Sequence, residues 1–204
     1  PAVVCFLGTD PAGIAAAAAI PARTLQEAAL LAAAEVEGYQ GASVDEVIER
    51  EMVDLWAQAD ALRPRLQSGQ RYLRGLFSGG TLASEALLIW GETPRRVLSN
   101  VARDPRCRLP DVTRSEGHCL LDLGEEEFTA GRPHPMIDYS LRLRRLLQEA
   151  ADPEVAVIVL DVVLGYGAHP DPGSELAPAI RQARERAARE GRDLLVVASV
   201  TGTE

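Results

Sequence analysis

A chain of 204 residues suffices for one full domain and part of another. Hydrophobic residues at 47% and charged residues at 25% describe a folded protein, and with aromatics at only 4% its core has to be built from Val, Leu, Ile and Ala. A formal charge of −9 repels nucleic-acid phosphates and anionic lipid headgroups, so neither nucleic acid nor membrane is an expected partner.

No apolar run approaches the roughly 18–20 residues that span a bilayer, and no signal-peptide pattern is present. Cys5, Cys107 and Cys119 are odd in number and form no CxxC pair. That argues against a disulfide framework or a Cys-rich zinc site and fits a reducing, cytoplasmic compartment. Pro1 runs directly into strand-like residues, and Glu204 follows closely on others. Such blunt ends are expected of a piece of a longer protein.

Val3 to Leu7 reads as a strand buried on both faces, stopped by Gly8-Thr9-Asp10-Pro11. Thr24 and Glu27 form a capping box ahead of an Ala/Leu-rich helix reaching Val36. Residues 1–40 are too few to stand alone and are expected to be the terminal βα piece of an upstream domain. Ser43 and Glu46 make a second capping box. Behind it Val44, Ile48, Met52, Leu55, Ala59 and Leu62 recur at helical spacing, which predicts a linker helix with one packed face within residues 41–69.

From residue 70 to 204 strands and helices alternate. Strands are predicted at Leu73–Phe77, Val97–Val101, Cys119–Leu123, Val155–Leu164 and Leu194–Val200. Helices are predicted over Gly80–Trp90 and over Met136–Ala151, the latter with Ile137, Leu141, Leu146 and Ala150 facing inward. A third carries Leu176, Ile180, Ala183 and Ala187 on one face. Alternation of this kind predicts an α/β fold, a flavodoxin-like parallel sheet with helices on both faces, and Val155–Leu164 reads as its central strand.

Ligands of such sheets bind beyond the carboxyl ends of the strands. Three turns there are rich in glycine and polar residues. Ser78-Gly79-Gly80-Thr81 joins a strand to a helix, so its backbone N–H groups and hydroxyls suit an anion; alternatively Ser and Thr only cap the helix. Gly131-Arg132-Pro133-His134-Pro135-Met136 offers a cation and an imidazole on a proline-stiffened turn, Arg132 and His134 being the catalytic candidates; alternatively it is a rigid surface loop. Gly165-Tyr166-Gly167 is the third, and is either structural or part of the site. Asp161, polar inside an apolar run, is either a paired buried carboxylate or a residue at the sheet end. The Ser78–Thr81 and Arg132–Met136 turns are expected to converge on one anion between helix starts at Gly80 and Met136. His118, His134 and His169 show no HxH or HxxxH spacing, so no metal site is expected. GxSxG, GxxxxGK[ST] and GxGxxG motifs are absent.

Several stretches resemble FdrA proteins: Pro1 to Gly8, Arg74 to Leu82, Gly117 to Gly124, Glu127 to Asp138, Asp152 to Pro172 and Val200 to Glu204. FdrA is in turn similar to the α-subunit of succinyl-CoA synthetase. The resemblance implies a ligase domain whose Ser78, Gly79, Gly80 and Thr81 hold an anion, joined by the Gly131 to Asp138 turn. It implies use of CoA and of ATP with Mg, a small-molecule acid or phosphate ligand, and assembly as a homo-oligomer or with partner subunits. The synthetases carry their phosphorylated histidine in a Gly-His-Ala-Gly loop shortly after the strand corresponding to Leu194–Val200, and these residues contain no such loop. Gly117-His118 precedes a strand and does not replace it. Where the synthetases end a strand in Gly-Glu, this one ends Val163-Leu164-Gly165. The implied function is an acyl-CoA synthetase (acid–thiol ligase) homologue without the phosphohistidine loop. The alternatives are a subunit of an oxamate carbamoyltransferase in purine-ureide (allantoin) degradation, as FdrA-like proteins are associated with, and a non-catalytic scaffold subunit.

Overall fold

The computed structural model describes residues 2–37 and 43–203. They fall into two compact units, Pro1–Pro64 and Arg65–Glu204. A boundary between residues 40 and 41 lies outside the described residues, as do Pro1 and Glu204 themselves.

The first unit contains β1 (Val3–Cys5), α1 (Pro11–Ala16), β2 (Ile20–Ala22), α2 (Leu25–Glu37) and α3 (Val44–Leu62), with β1 and β2 parallel. The predicted strand through Leu7 stops at Cys5, and Phe6 is 63% exposed. Asp10 accepts the Ala12 N–H, and Pro11 sits where a helix can spare an amide, so a short helix forms where only a loop was expected. The Thr24 hydroxyl accepts the Glu27 N–H, but the Glu27 carboxylate turns to the Arg23 N–H, leaving half a capping box. The Ser43–Glu46 box is complete. The expected packed face on α3 is not realised, since no residue of this helix is buried and Met52, Leu55 and Trp56 lie exposed. Periodicity sets which side chains share a face, not whether anything covers it.

The second unit runs β3 (Tyr72–Phe77), α4 (Gly80–Gly91), β4 (Val97–Ser99), β5 (His118–Asp122), α5 (Glu126–Thr129), α6 (Ser140–Ala150), β6 (Val155–Leu164), α7 (Pro172–Arg189) and β7 (Leu195–Gly202). The five strands are all parallel in the order β4-β5-β3-β6-β7. The central strand is therefore β3, and Val155–Leu164 lies beside it. Side chains alternate across a strand, so neighbours on β3 and β5 enter different cores. Leu76 and Leu121 pack with Leu146 and Ala150 of α6 and with Leu176, Ala183 and Ala187 of α7. Phe77 and Leu120 pack with Ala83 and Trp90 of α4. Helices thus cover both faces, as the alternation predicts.

The helix expected from Met136 begins instead at Ser140, and Ile137 is 53% exposed rather than inward. The Ile137 and Asp138 amides both donate to the His134 carbonyl, forming a separate turn, and the Asp138 carboxylate accepts the Ser140 N–H. This local turn precedes the helix, whose cap residue Tyr139 makes no side-chain cap bond. Among the described residues no helix is long and apolar enough to cross a membrane.

Candidate functional site

The carboxyl edge of the sheet is built around Asp161 and Asp122. Asp161, on β6, accepts the Ser78 backbone N–H at 2.9 Å and the Ser78 hydroxyl at 2.5 Å. Its other partner is Arg142 of α6, 2.7 Å away. Arg142 also donates to the main-chain oxygen of Asp161, while its Nε and Nη1 atoms are buried without a partner. Asp161 is thus the paired buried carboxylate of the two readings open for it. Ser78 is correspondingly 1% exposed and has both donors committed to Asp161, so it holds the turn in place rather than offering a hydroxyl to a ligand.

The turn that follows is left open. Gly79 precedes α4 and no side chain caps this helix. No heavy atom lies within 4 Å of where a Gly79 Cβ would stand. Uncapped first-turn amides beside open space form an electropositive helix end. Thr81 is exposed in this first turn.

Asp122 closes β5, opposite Phe77 of β3. Asn100 clamps its backbone, accepting its N–H at 3.0 Å and donating to its carbonyl at 2.9 Å. The carboxyl turns towards the α4 start, with Oδ2 only 3.1 Å from the Cβ position of Gly80. Burial raises its pKa, and the nearby Glu125 and Asp161 charges raise it further.

The turns meet at Gly124. A Cβ there would stand 2.8 Å from the Ser78 carbonyl oxygen, 2.9 Å from His134 Nε2 and 3.1 Å from Asp122 Oδ1. Only glycine fits without displacing one of them. His134 Nδ1 accepts the Met136 N–H at 3.3 Å, so in the neutral ring the proton sits on Nε2, the nitrogen facing this junction.

The structure therefore brings Ser78, Gly79, Gly80 and His134 to one place and leaves other expected residues apart. The helix starts do not converge. The cores that α4 and α6 pack against lie on opposite faces of the sheet, and α6 starts four residues beyond Met136. The shared anion between two helix ends is corrected accordingly; what converges is loop, not helix. Gly131 and Arg132 line a separate cavity to which none of Ser78–Thr81 contributes. Gly165 and Gly167 adopt positive φ, 118° and 84°, in a turn joined to the second one where the His169 N–H donates to the Met136 carbonyl at 2.8 Å. The His169 ring lies 5.2 Å from that of Tyr139. His118 opens β5 at the other end of the sheet, its Nδ1 accepting the Leu73 N–H. Asp122 and Gly124 fall in a stretch that carries the resemblance but are not among the expected site residues, although a polar residue closing an apolar strand with glycine two residues on is the signal that marks them.

Residues 76–204 match the family model described as CoA-ligase. The chain belongs to the CoA-ligase family, and its parallel sheet with an open carboxyl edge is the part that carries the match. The Escherichia coli (strain K12) protein described as uncharacterized protein YahF is 43% identical over 208 residues. That similarity covers 100% of this chain, the first unit included, and the chain spans 38% of the length of that relative.

Proposed function

We propose that the second unit is the acid-binding part of an FdrA-type acid–thiol ligase, handling the oxyanion of a small carboxylic acid or acyl phosphate at the Gly124 junction. The observation that carries this reading is the convergence at Gly124. It brings the uncapped α4 start, His134 Nε2 and the Asp122 carboxyl to one place. The family match over residues 76–204 supports it.

The first-turn amides of α4, from Gly80 onward, would receive the oxyanion, because unpaired N–H groups and the helix dipole favour negative charge there. An ionised Asp122 so close to Gly80 would repel it. Burial, the largest cause, raises its pKa, so this carboxyl resists ionisation more than an ordinary aspartate does. His134 Nε2 is a second donor and can pass a proton to a departing group. ATP supplies the activating phosphoryl group and CoA the thiol in acid–thiol ligases, and the space over Gly79 is open. Among the described residues no three His, Cys, Asp or Glu side chains are grouped to hold a metal ion. The other ligase elements would come from the remainder of a longer protein or from further subunits.

The test is ATP-dependent acyl-CoA formation by the full-length protein with a panel of short acids. Turnover that His134→Gln lowers while folding is retained supports the reading. No turnover with any acid counts against it.

A further inference from the structure

Beside the Gly124 junction, a cavity of about 350 Å³ opens between the Gly131–Asp138 turn and α6. Two arginines, Arg132 and Arg144, line it, with Phe128, Pro133 and Leu141 supplying apolar wall. Asp138 is its one carboxylate, and that group is engaged with Ser140, whose backbone N–H it accepts and which lowers its pKa.

The arginines of α6 divide sharply. Arg142 and Arg145 are buried and paired, with Asp161 and Glu149. Arg144 is exposed and forms no ion pair among the described residues, and neither does Arg132. Two unpaired guanidinium groups on one concave surface repel each other and gain by sharing an oxyanion, which each can bind through two N–H groups. The turn that carries Arg132 is stiff. Prolines flank it at 133 and 135, Gly131 holds φ at 70°, and the Arg132 N–H is tied to the Thr129 carbonyl at 2.9 Å. A preorganised cation loses less freedom on binding. The chain as a whole carries −9, so an anion held here is held by these local charges and not by the general field.

We infer that Arg132 and Arg144 form a second oxyanion subsite, distinct from the Gly124 junction. It takes the carboxylate or phosphate ester of a ligand whose apolar part rests on Phe128 and Leu141. The inference does not depend on acid–thiol ligation, because it concerns binding alone.

Titration calorimetry of the full-length protein with inorganic phosphate and, separately, with butyrate at low ionic strength tests it. Arg132→Gln and Arg144→Gln should each weaken binding of at least one probe by about tenfold, the size expected for a lost charge-assisted bond. The double variant should abolish that component of the binding and leave whatever the Gly124 junction holds. Arg181→Gln removes an equal charge from the exposed face of α7 and should leave it unchanged. Which probe binds distinguishes a phosphate ester from a carboxylate. If the double variant binds both probes as the parent does, or if the parent binds neither at millimolar concentration, the subsite does not exist.

Discussion

The Arg142 guanidinium lies 2.7 Å from the Asp161 carboxylate, and the two side chains are 0% and 1% exposed. This pair fastens α6 to β6, and through Asp161 it fastens the Ser78 turn. Removing one partner leaves an uncompensated buried charge. Arg142→Leu should therefore cost about 3–5 kcal/mol in urea unfolding. Adding Asp161→Leu should cost less than the sum of the two single changes, because the second charge goes with the first. Strictly additive losses would show that the two groups are not coupled.

Asp122 should make stability pH-dependent in a definite direction. Its folded pKa is raised above the ordinary 3.8, with burial the largest cause. The folded state thus keeps the proton to higher pH than the unfolded chain does. Stability falls as pH climbs from the ordinary value through the raised one, then levels off. Asp122→Asn should remove this fall, so the urea midpoints of variant and parent should diverge across that window. A constant difference from below pH 3.8 to neutrality would refute the assignment.

Gly124→Ala should disable the site more than the fold. The new methyl group would stand 2.8 Å from the backbone oxygen of Ser78 and 2.9 Å from His134 Nε2. The imidazole can swing aside, whereas the carbonyl cannot do so cheaply. Overpacking of this kind costs about 1–3 kcal/mol. Acyl-CoA formation by the full-length protein should drop well beyond what the lost folded fraction explains. Unchanged turnover would separate the junction from the chemistry.

Gly75→Ala tests the other core. A Cβ on this residue of β3 would meet Leu120 and Phe77 at 2.9 Å and Trp90 at 3.0 Å. All three contacts are side chains inside a packed cluster, so about 1–3 kcal/mol should be lost. In residues 1–204 with Trp56 replaced by Phe, the remaining tryptophan emission reports Trp90, and it should shift as that ring is displaced. An unperturbed spectrum with full stability would contradict the packing described.

The alternating apolar runs made most of the second unit legible. Val155–Leu164 is apolar at nine of its ten positions because it is buried on both faces, and the strand matches its predicted bounds. The start of α6 was misjudged because Met136 and Ile137 continue an apolar rhythm, while a turn closed on the His134 carbonyl takes their amides. The helix α3 was legible as a helix through its capping box, and its exposed stripe was not, because a periodic face is a local property and its cover is not.

By itself the sequence determined the class of fold, the three glycine-rich turns and the acidic charge that sets them off. These follow from local patterns, in which burial, backbone freedom and turn chemistry act over a few residues. Only the tertiary structure decided which residues stand together. It committed Ser78 to Asp161, 83 positions away, and set Gly124 between Ser78 and His134. It also sent the starts of α4 and α6 to opposite faces and left Arg132 facing a cavity with Arg144. The physical reason is strand order. β3 lies between β5 and β6, so turns remote in the chain share one sheet edge, and no spacing along the sequence records that neighbourhood.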